Sequence, residues 1–551
     1  MNYLSFSIKS NVFTLNYLRG ILLSKKIKKT RKPPTPSFTH ELPLRTNKHQ
    51  NRKLSIKFKA LRELYNMVLS EIFKRERKMR QDPRLAEAVS LNKKDPLKKK
   101  GKSLFNLLRK EYLLEKANLQ SFATQAKNSS YMVDHLDGDT VQVISDRAYD
   151  AYINYKIGKR GKPRFKSYKK GLRSISGKKN NCVMFKDGKV KWKDLLIDVA
   201  FDKKDKHGVQ FHALSKKVKY CRIVGRLIKG EVRYYLQLIV EGTPLIKHEY
   251  PTSIIGGDIG VSTYAFVGDN TAMLGPFCAE LEDIQKEIGK LQRKNSRSTR
   301  AMNNQNFEPN SYVKGKKKFG KIKKGKNVWK NSKNYQKNSI EIQELYRIQA
   351  DKRKTLHNIL ANEALSMGKY VKIENNNYKA WQKGWFGKTI GFRAPSAFVS
   401  TLTRKAESAG GKVDLIDTWT SKLSQYCHVC DGYHKKTLSE RTHTCGEITK
   451  QRDLYSALLI KHYDLEARKV NTTQIHENWE SLDTILEDAV LTCRDKFQSV
   501  GKLPTSLGIQ ELEKRNSHKE SVVVSSQWLA SDNCESKKKK PEETANKNRT
   551  P

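Results

Sequence analysis

The chain has 551 residues, and 109 Lys and Arg against 56 Asp and Glu give it a formal charge of +53. That length provides for two to four domains, and a surface so positive repels itself unless it meets a polyanion, so nucleic acid is the leading partner. An anionic membrane is the second candidate and is disfavoured, because no run approaches the roughly 20 apolar residues of a spanning helix; eight cysteines, three of them clustered, are too sparse for a disulfide scaffold and fit a reducing compartment with one metal site.

In chain order, Met1 to Leu23 has its apolar residues interrupted at Ser7 to Asn11, and no small-residue cleavage site precedes the basic run Lys25 to Arg31. A secretory signal is therefore not expected, and both a targeting peptide and an extended start stay open; the expected location is cytoplasmic, on the nucleoid. Residues 1–52 read as a basic arm. Residues 53–157 read as helical: Leu61, Leu64, Tyr65, Val68, Leu69, Ile72 and Phe73 make one apolar stripe. Further helical regions are expected near 103–114 and 139–155. From 158 to 250 the period changes to that of strands, with Asp187-Gly188 and Lys229-Gly230 as hairpin turns in a β-barrel-like module.

Residues 251–424 open with Ile254 and Ile255, then Gly256-Gly257, a single carboxylate at Asp258, Gly260 and an uncharged run through Val267. This reads as a buried strand presenting one acid at a close-packed turn. A buried lone acid needs a cation or hydrogen bonds, so a metal ligand and a hydrogen-bonded turn aspartate are both open. A helix is expected at 281–291, then a basic loop over 293–338 in which Lys314 to Lys326 holds eight lysines in thirteen residues. That run serves either as a solvated loop or as a nucleic-acid backbone contact. A long amphipathic helix follows from about 340.

Tyr370 to Glu374 is a second short strand ending in an acid, and Asp453 stands in the first turn of an apolar helix, where a plain cap is the competing reading. Together Asp258, Glu374 and Asp453 follow the pattern by which RNase H-like nucleases hold two divalent ions about 3.5–4 Å apart. Cys427 and Cys430 form a knuckle that presents two thiolates to one Zn²⁺. Only Cys445 stands where a second pair belongs; His443 is the best fourth ligand, ahead of His428 and His434. Trp381, Trp385 and Phe386 either stack on bases or pack as a loop near the site.

The segments Gly257-Asp-Ile-Gly-Val261, Lys372-Ile-Glu374, Cys427-x-x-Cys430 with Cys445-Gly446, and Arg452-Asp453 before Leu454-Tyr-Ser-Ala457 resemble the TnpB family, the RNA-guided nucleases of insertion sequences related to type V CRISPR effectors. The turn at Gly161 to Phe165, the strand Tyr234 to Gly242, and Tyr378 to Trp381 leading to Arg393-Ala-Pro395 support it, so the resemblance spans about 57–464. It implies an α/β multidomain chain: a β-barrel wedge domain (158–250) with an inserted helical recognition lobe (53–157), then a split RuvC domain (251–424 and 449–490). A zinc ribbon (425–448) is inserted in that domain. Residues 491–551 read, from their own composition, as a basic, disordered tail. The implied activity is RNA-guided, Mg²⁺-dependent cleavage of double-stranded DNA. Asp258, Glu374 and Asp453 would hold two Mg²⁺ ions, Cys427, Cys430, His443 and Cys445 would hold Zn²⁺, and a guide RNA would be bound. A guide-directed binding regulator and a strand-joining transposase are the alternatives. The missing fourth cysteine and the long tail depart from the family pattern.

Overall fold

The computed structural model describes residues 35–513, except 94–97, 169–170, 178–181, 247, 314, 326–327, 438, 447, 499–503 and 511–512. The chain divides into two compact units, Met1–Leu245 and Ile246–Pro551. The first 34 residues of the expected arm and the tail beyond 513 lie outside the described residues.

The first unit is a seven-stranded antiparallel sheet around a set of helices. Its strands are β1 (Ser37–Arg45), β2 (Ser174–Ser176), β3 (Met184–Lys186), β4 (Lys189–Trp192), β5 (Leu195–Val199), β6 (Val218–Ile228) and β7 (Glu231–Glu241), in the order β2-β6-β7-β1-β5-β4-β3. The result is an open half-barrel rather than a closed barrel. Both expected hairpins form, Lys186 opposite Lys189 and Ile228 opposite Glu231, with all four turn residues at positive φ, as a two-residue turn of this kind requires.

The expected arm 1–52 is corrected at its end. Ser37–Arg45 is a strand at the centre of the sheet, paired with β7 through Pro43 and with β5 from Leu44. Pro43 therefore sits where the strand changes partner, and Leu42 and Leu44 supply its two core contacts. Because β1 precedes the helices and pairs with strands that follow them, the helices are an insertion in the half-barrel. Among them are α1 (Lys48–Gln81), with the expected stripe buried from Leu61 to Ile72, and α2 (Gly138–Lys156). Inside this unit Lys156 meets Glu76 at 2.6 Å, and Glu76 also takes Arg80. Burial of Glu76 works against its charge, and the two cations overcome it, holding the carboxyl below its ordinary range.

The second unit is built on a five-stranded sheet: β8 (Ile254–Ile259), β9 (Thr263–Val267), β10 (Ala272–Pro276) and, after a small hairpin β11 (Ser311–Val313) and β12 (Lys316–Lys318), β13 (Tyr370–Glu374) and β14 (Lys412–Ile416). The order is β10-β9-β8-β13-β14; β8, β9 and β10 are antiparallel, while β13 and β14 run parallel to β8. Helices cover both faces. On one, Leu360, Ala364 and Leu365 of α4 (Lys333–Met367) and Phe398 and Leu402 pack on Ile255, Ile259 and Ile373. On the other, α5 (Arg452–Lys461) and α6 (Trp479–Gln498) pack on Ala265 and Val267.

Two boundaries differ from expectation. The basic stretch 293–302 is the second half of the helix α3 (Glu282–Met302), not loop. The expected tail from 491 is corrected at its start: α6 runs on to Gln498, and Cys493 in it and, beyond it, Leu507 and Ile509 are buried in the core of this unit together with Leu482, Leu486 and Ala489.

Lys372 fixes the far end of α5. Its ammonium, on the sheet face beneath that helix, donates to the carbonyls of Lys461 (3.0 Å), the last residue of the helix, and of Tyr463 (2.7 Å), just beyond it. Burial lowers the Lys372 pKa. We expect Lys372→Met to cost about 1–3 kcal/mol, the usual penalty for stranding buried acceptors, measured as a shifted denaturant midpoint with an unchanged slope.

Candidate functional site

Alternation along β8 decides what faces where. Ile255, Gly257 and Ile259 point into the core beneath α4, while Gly256 and Asp258 point toward α5. Gly256 is where the helix comes closest: a Cβ there would stand 2.1 Å from the Ala457 carbonyl oxygen and 2.4 Å from the Lys461 nitrogen. Only glycine allows that approach, and it brings the start of α5 over the end of β8. The parallel register pairs Lys372 with Gly256 and Ile373 with Gly257. Glu374 and Asp258 are thus the next positions on strands about 4.8 Å apart, with side chains on the same face.

Asp453 is the second residue of α5 and is buried. It is not the helix cap. Gln451 is, its side chain accepting from the Leu454 amide at 2.7 Å. The Asp453 carboxylate instead accepts from the hydroxyl of Thr263 (2.8 Å) and from Arg452 (two contacts of 3.3 Å). Arg452 also donates to the Glu440 carbonyl at 2.6 Å, so its guanidinium is shared with the chain just before it.

Burial, then the charges of Asp453 and Glu374, raises the Asp258 pKa well above the carboxylate range; burial pushes Glu374 up to about 7. Three acids converge at one end of the sheet with less positive charge than they need, the situation a bound cation relieves. Their oxygens are not all within 4.8 Å of one another; among the described residues, the only group of three or more candidate ligands that close is the cysteine cluster. Thr263, which orients Asp453, was not singled out in the sequence, and nothing marks it there beyond its place in the second strand.

The cysteine cluster comes from two short hairpins, β15 (Tyr426–Cys427) with β16 (Gly432–Tyr433), and β17 (Thr442–Cys445) with β18 (Ile448–Gln451). Asp431 and Gly446 take positive φ at their turns. Cys427, Cys430, Cys445 and His434 bring their donor atoms within 4.8 Å of one another. Three thiolates and an imidazole at that separation can hold a tetrahedral zinc. The thiol of Cys427 is buried, which alone would raise its pKa, yet the amides of Cys430 and Val429 outweigh this and favour the thiolate.

The structure gathers His434 into this group rather than the expected His443. The first hairpin turns the chain back so that the His434 amide donates to the Gln425 carbonyl (2.7 Å) and its Nε2 lies 3.0 Å from Cys430 Sγ. His443 is instead a packing residue. Its ring stacks on Tyr455 with centroids 4.0 Å apart, Nδ1 meets Lys436, and Nε2 approaches only Cys427, at 3.3 Å. Ile448 occupies the position of the absent fourth cysteine. His428 faces the other way, with Nδ1 2.6 Å from the Tyr455 hydroxyl.

No family model and no curated protein matches the chain. Among solved structures it is similar to a Cas12f1–sgRNA–target DNA complex (12% identity, TM-score 0.41, covering 78% of this chain and 99% of that one). A CRISPR-Cas12f ternary complex also matches (12% identity, TM-score 0.26, 74% and 82% covered). A Cas12i–crRNA–dsDNA complex does so at 12% identity and TM-score 0.25, with 76% and 55% covered. The likeness is loose at these TM-scores.

Proposed function

We propose that the chain is an RNA-guided DNA endonuclease of the TnpB type that cuts phosphodiesters at Asp258, Glu374 and Asp453. The observation that carries this reading is the convergence of the three acids: two on adjacent parallel strand ends, the third on a helix pressed against Gly256. The sheet order, three antiparallel strands followed by two parallel ones, is that of an RNase H-like domain and supports it. In the first unit a groove of about 820 Å³ has Arg147, Arg160, Lys166 and Arg222 in its walls, which suits phosphate contacts, although Asp146 and Asp150 line it too.

The acids fit divalent metal: they are oxygen donors, burial keeps Glu374 above its ordinary pKa, and burial with the neighbouring charges of Asp453 and Glu374 does so for Asp258. Asp258, Glu374 and Asp453 would hold two Mg²⁺ ions, which would supply an activated water and a counter-charge for the leaving oxygen. The chain's own contribution is to hold the acids in place. Thr263 orients the Asp453 carboxylate, Gly256 sets its height over the sheet, and Lys372 anchors the other end of the same helix.

The test is to purify the protein with the RNA it retains when expressed beside its flanking DNA, and to challenge the complex with a randomised plasmid library in Mg²⁺. Cuts at a fixed distance from one short motif, matching the RNA, are expected; a protein that retains no discrete RNA overturns the reading.

Cys427, Cys430, Cys445 and His434 are proposed as the zinc site. Purified protein is expected to carry one equivalent of zinc by elemental analysis. His434→Ala should release it to a chelator at least about tenfold more readily than wild type, an effect of the size seen even for outer-shell partners. His443→Ala should retain it; the opposite pattern would restore His443 as the ligand.

A further inference from the structure

The segment between Glu374 and the helix beginning at Pro395 is a strap tied at both ends beside Asp258. At its start the Tyr378 hydroxyl donates to the Ile259 carbonyl (3.4 Å); at its end Arg393 donates to the Val261 carbonyl (3.0 Å). These carbonyls belong to the residues one and three places after Asp258. Arg393 is itself buried, and its own carbonyl meets His357 at 2.9 Å, so this end is fixed to the core.

Between the ties the strap rises into a short, well-bonded tip. The Lys383 amide donates to Ala380, that of Gly384 to Trp381 and that of Gly387 to Gly384, at 3.0–3.1 Å. A Cβ on Gly387 would stand 2.2 Å from the Gln382 carbonyl oxygen, so the tip closes only with glycine there. It presents Trp385 at 101% of its reference area. Trp419 is the second most exposed large hydrophobic residue among those described, at 85%. It stands three residues beyond Ile416, the register partner of Glu374, with its amide bonded to Asp417. Two indoles held in open water on bonded turns, one on the strap beyond the Glu374 strand and one just after the strand paired with it, bury no surface that would stabilise the fold. From Asn375 to Pro395 the chain has Lys379, Lys383 and Lys388 and no acidic residue, while Arg393 is buried and paired with Glu282, so a partner stacked at the tip meets the charge of the lysines.

We propose that Trp385, with Trp419 as a second post, stacks on the bases of the single nucleic-acid strand that enters the Asp258 site. This rests on the nuclease reading for the identity of the strand. Every base has a π-face, so the posts grip without selecting sequence, while the lysines follow the backbone.

The test uses the full chain with its retained RNA, in EDTA, titrated with a labelled single-stranded oligothymidylate. Trp385→Ala is expected to weaken binding by about 5- to 150-fold, with Trp385→Phe retaining most of it and Trp419→Ala giving a smaller loss. The slope of affinity against salt should not change, because no phosphate contact is lost. An abasic version of the strand should lose the same factor on wild type and nothing further on Trp385→Ala. Undiminished binding by Trp385→Ala, or an equal abasic loss on the variant, overturns the proposal. The two readings fail separately: cleavage that survives Asp258→Asn removes the nuclease reading, whereas the Trp385 result concerns strand binding alone.

Discussion

Asp258→Asn is expected to remove metal-dependent cleavage by about a thousandfold or more, since bound metal stabilises a phosphoryl transition state by several kcal/mol and each 1.36 kcal/mol is a factor of ten. The same change should make the metal-free protein more stable at pH 8. The sign follows from the raised acids. Glu374 titrates near 7 in the folded chain against 4.5 ordinarily, and Asp258 is displaced the same way. Below about 4.5 both states hold the proton and the site costs nothing. As pH rises toward and through 7 the unfolded chain ionises first, so stability falls, by up to about 3 kcal/mol for Glu374 alone at 1.36 kcal/mol per unit. The buried histidines His357, His428, His443 and His462 have lowered pKa values and act with the opposite sign over the same range, so the acids are read from the difference between the two proteins. In EDTA the stability of Asp258→Asn relative to wild type should be greater at pH 8 than at pH 5, and Mg²⁺ should stabilise wild type more than the variant. Thermal melts of both proteins at the two pH values decide this. Cleavage by the variant at a wild-type rate would sink the site assignment, and the same pH dependence in both proteins would show that the acids are not held against their charge.

What the sequence revealed of this site, and what it concealed, divides along physical lines. β8 and β13 were legible because each is a short apolar run ending in a lone acid, and burial of such a run is costly to imitate by chance. The Arg293–Met302 half of α3 was not, because its contacts with α4 are polar: Asn295 to Ser339 and Asn338, Ser298 to Ser332, Gln292 to Tyr346. A helix pair joined by amides and hydroxyls leaves no hydrophobic period to read. β1 was hidden because a nine-residue strand with a proline and two core leucines looks like part of a basic arm until its partners, nearly two hundred residues later, are known. His443 was preferred over His434 on spacing to Cys445 alone. The turn at Asp431 that swings His434 back to Cys430 is a three-dimensional fact, as is the stacking of His443 on Tyr455.

Gly256→Ala, a single methyl group, is expected to do more harm to the fold than any substitution of the acids. The added carbon would stand 2.1 Å from the Ala457 oxygen, 2.4 Å from the Lys461 nitrogen and 2.8 Å from the Lys461 Cα, all backbone atoms of α5 that no rotamer change can move aside. The helix must shift as a body, and it is held on its other sides by the fully buried Leu458, Leu459 and Ile460 and at its end by Lys372. Overpacking commonly costs 1–3 kcal/mol where side chains can adjust; here they cannot, and about 4 kcal/mol or more is expected, the range reserved for core disruption. Gly257→Ala is the instructive neighbour. Its Cβ would meet the Phe266 ring at 2.5 Å and Ile373 at 3.2 Å, side chains with some freedom to repack, so a smaller loss is expected. Gly138→Ala, with nothing within 4 Å and at the start of a helix, should be close to neutral. Denaturant midpoints of the three variants give the ranking directly. Any Gly256→Ala protein that does fold carries Asp453 on a displaced helix, so its cleavage should fall further than its folded fraction does. A variant as stable and as active as wild type would mean that α5 does not lie against β8 as described, and the convergence of Asp453 with Asp258 and Glu374 would fall with it.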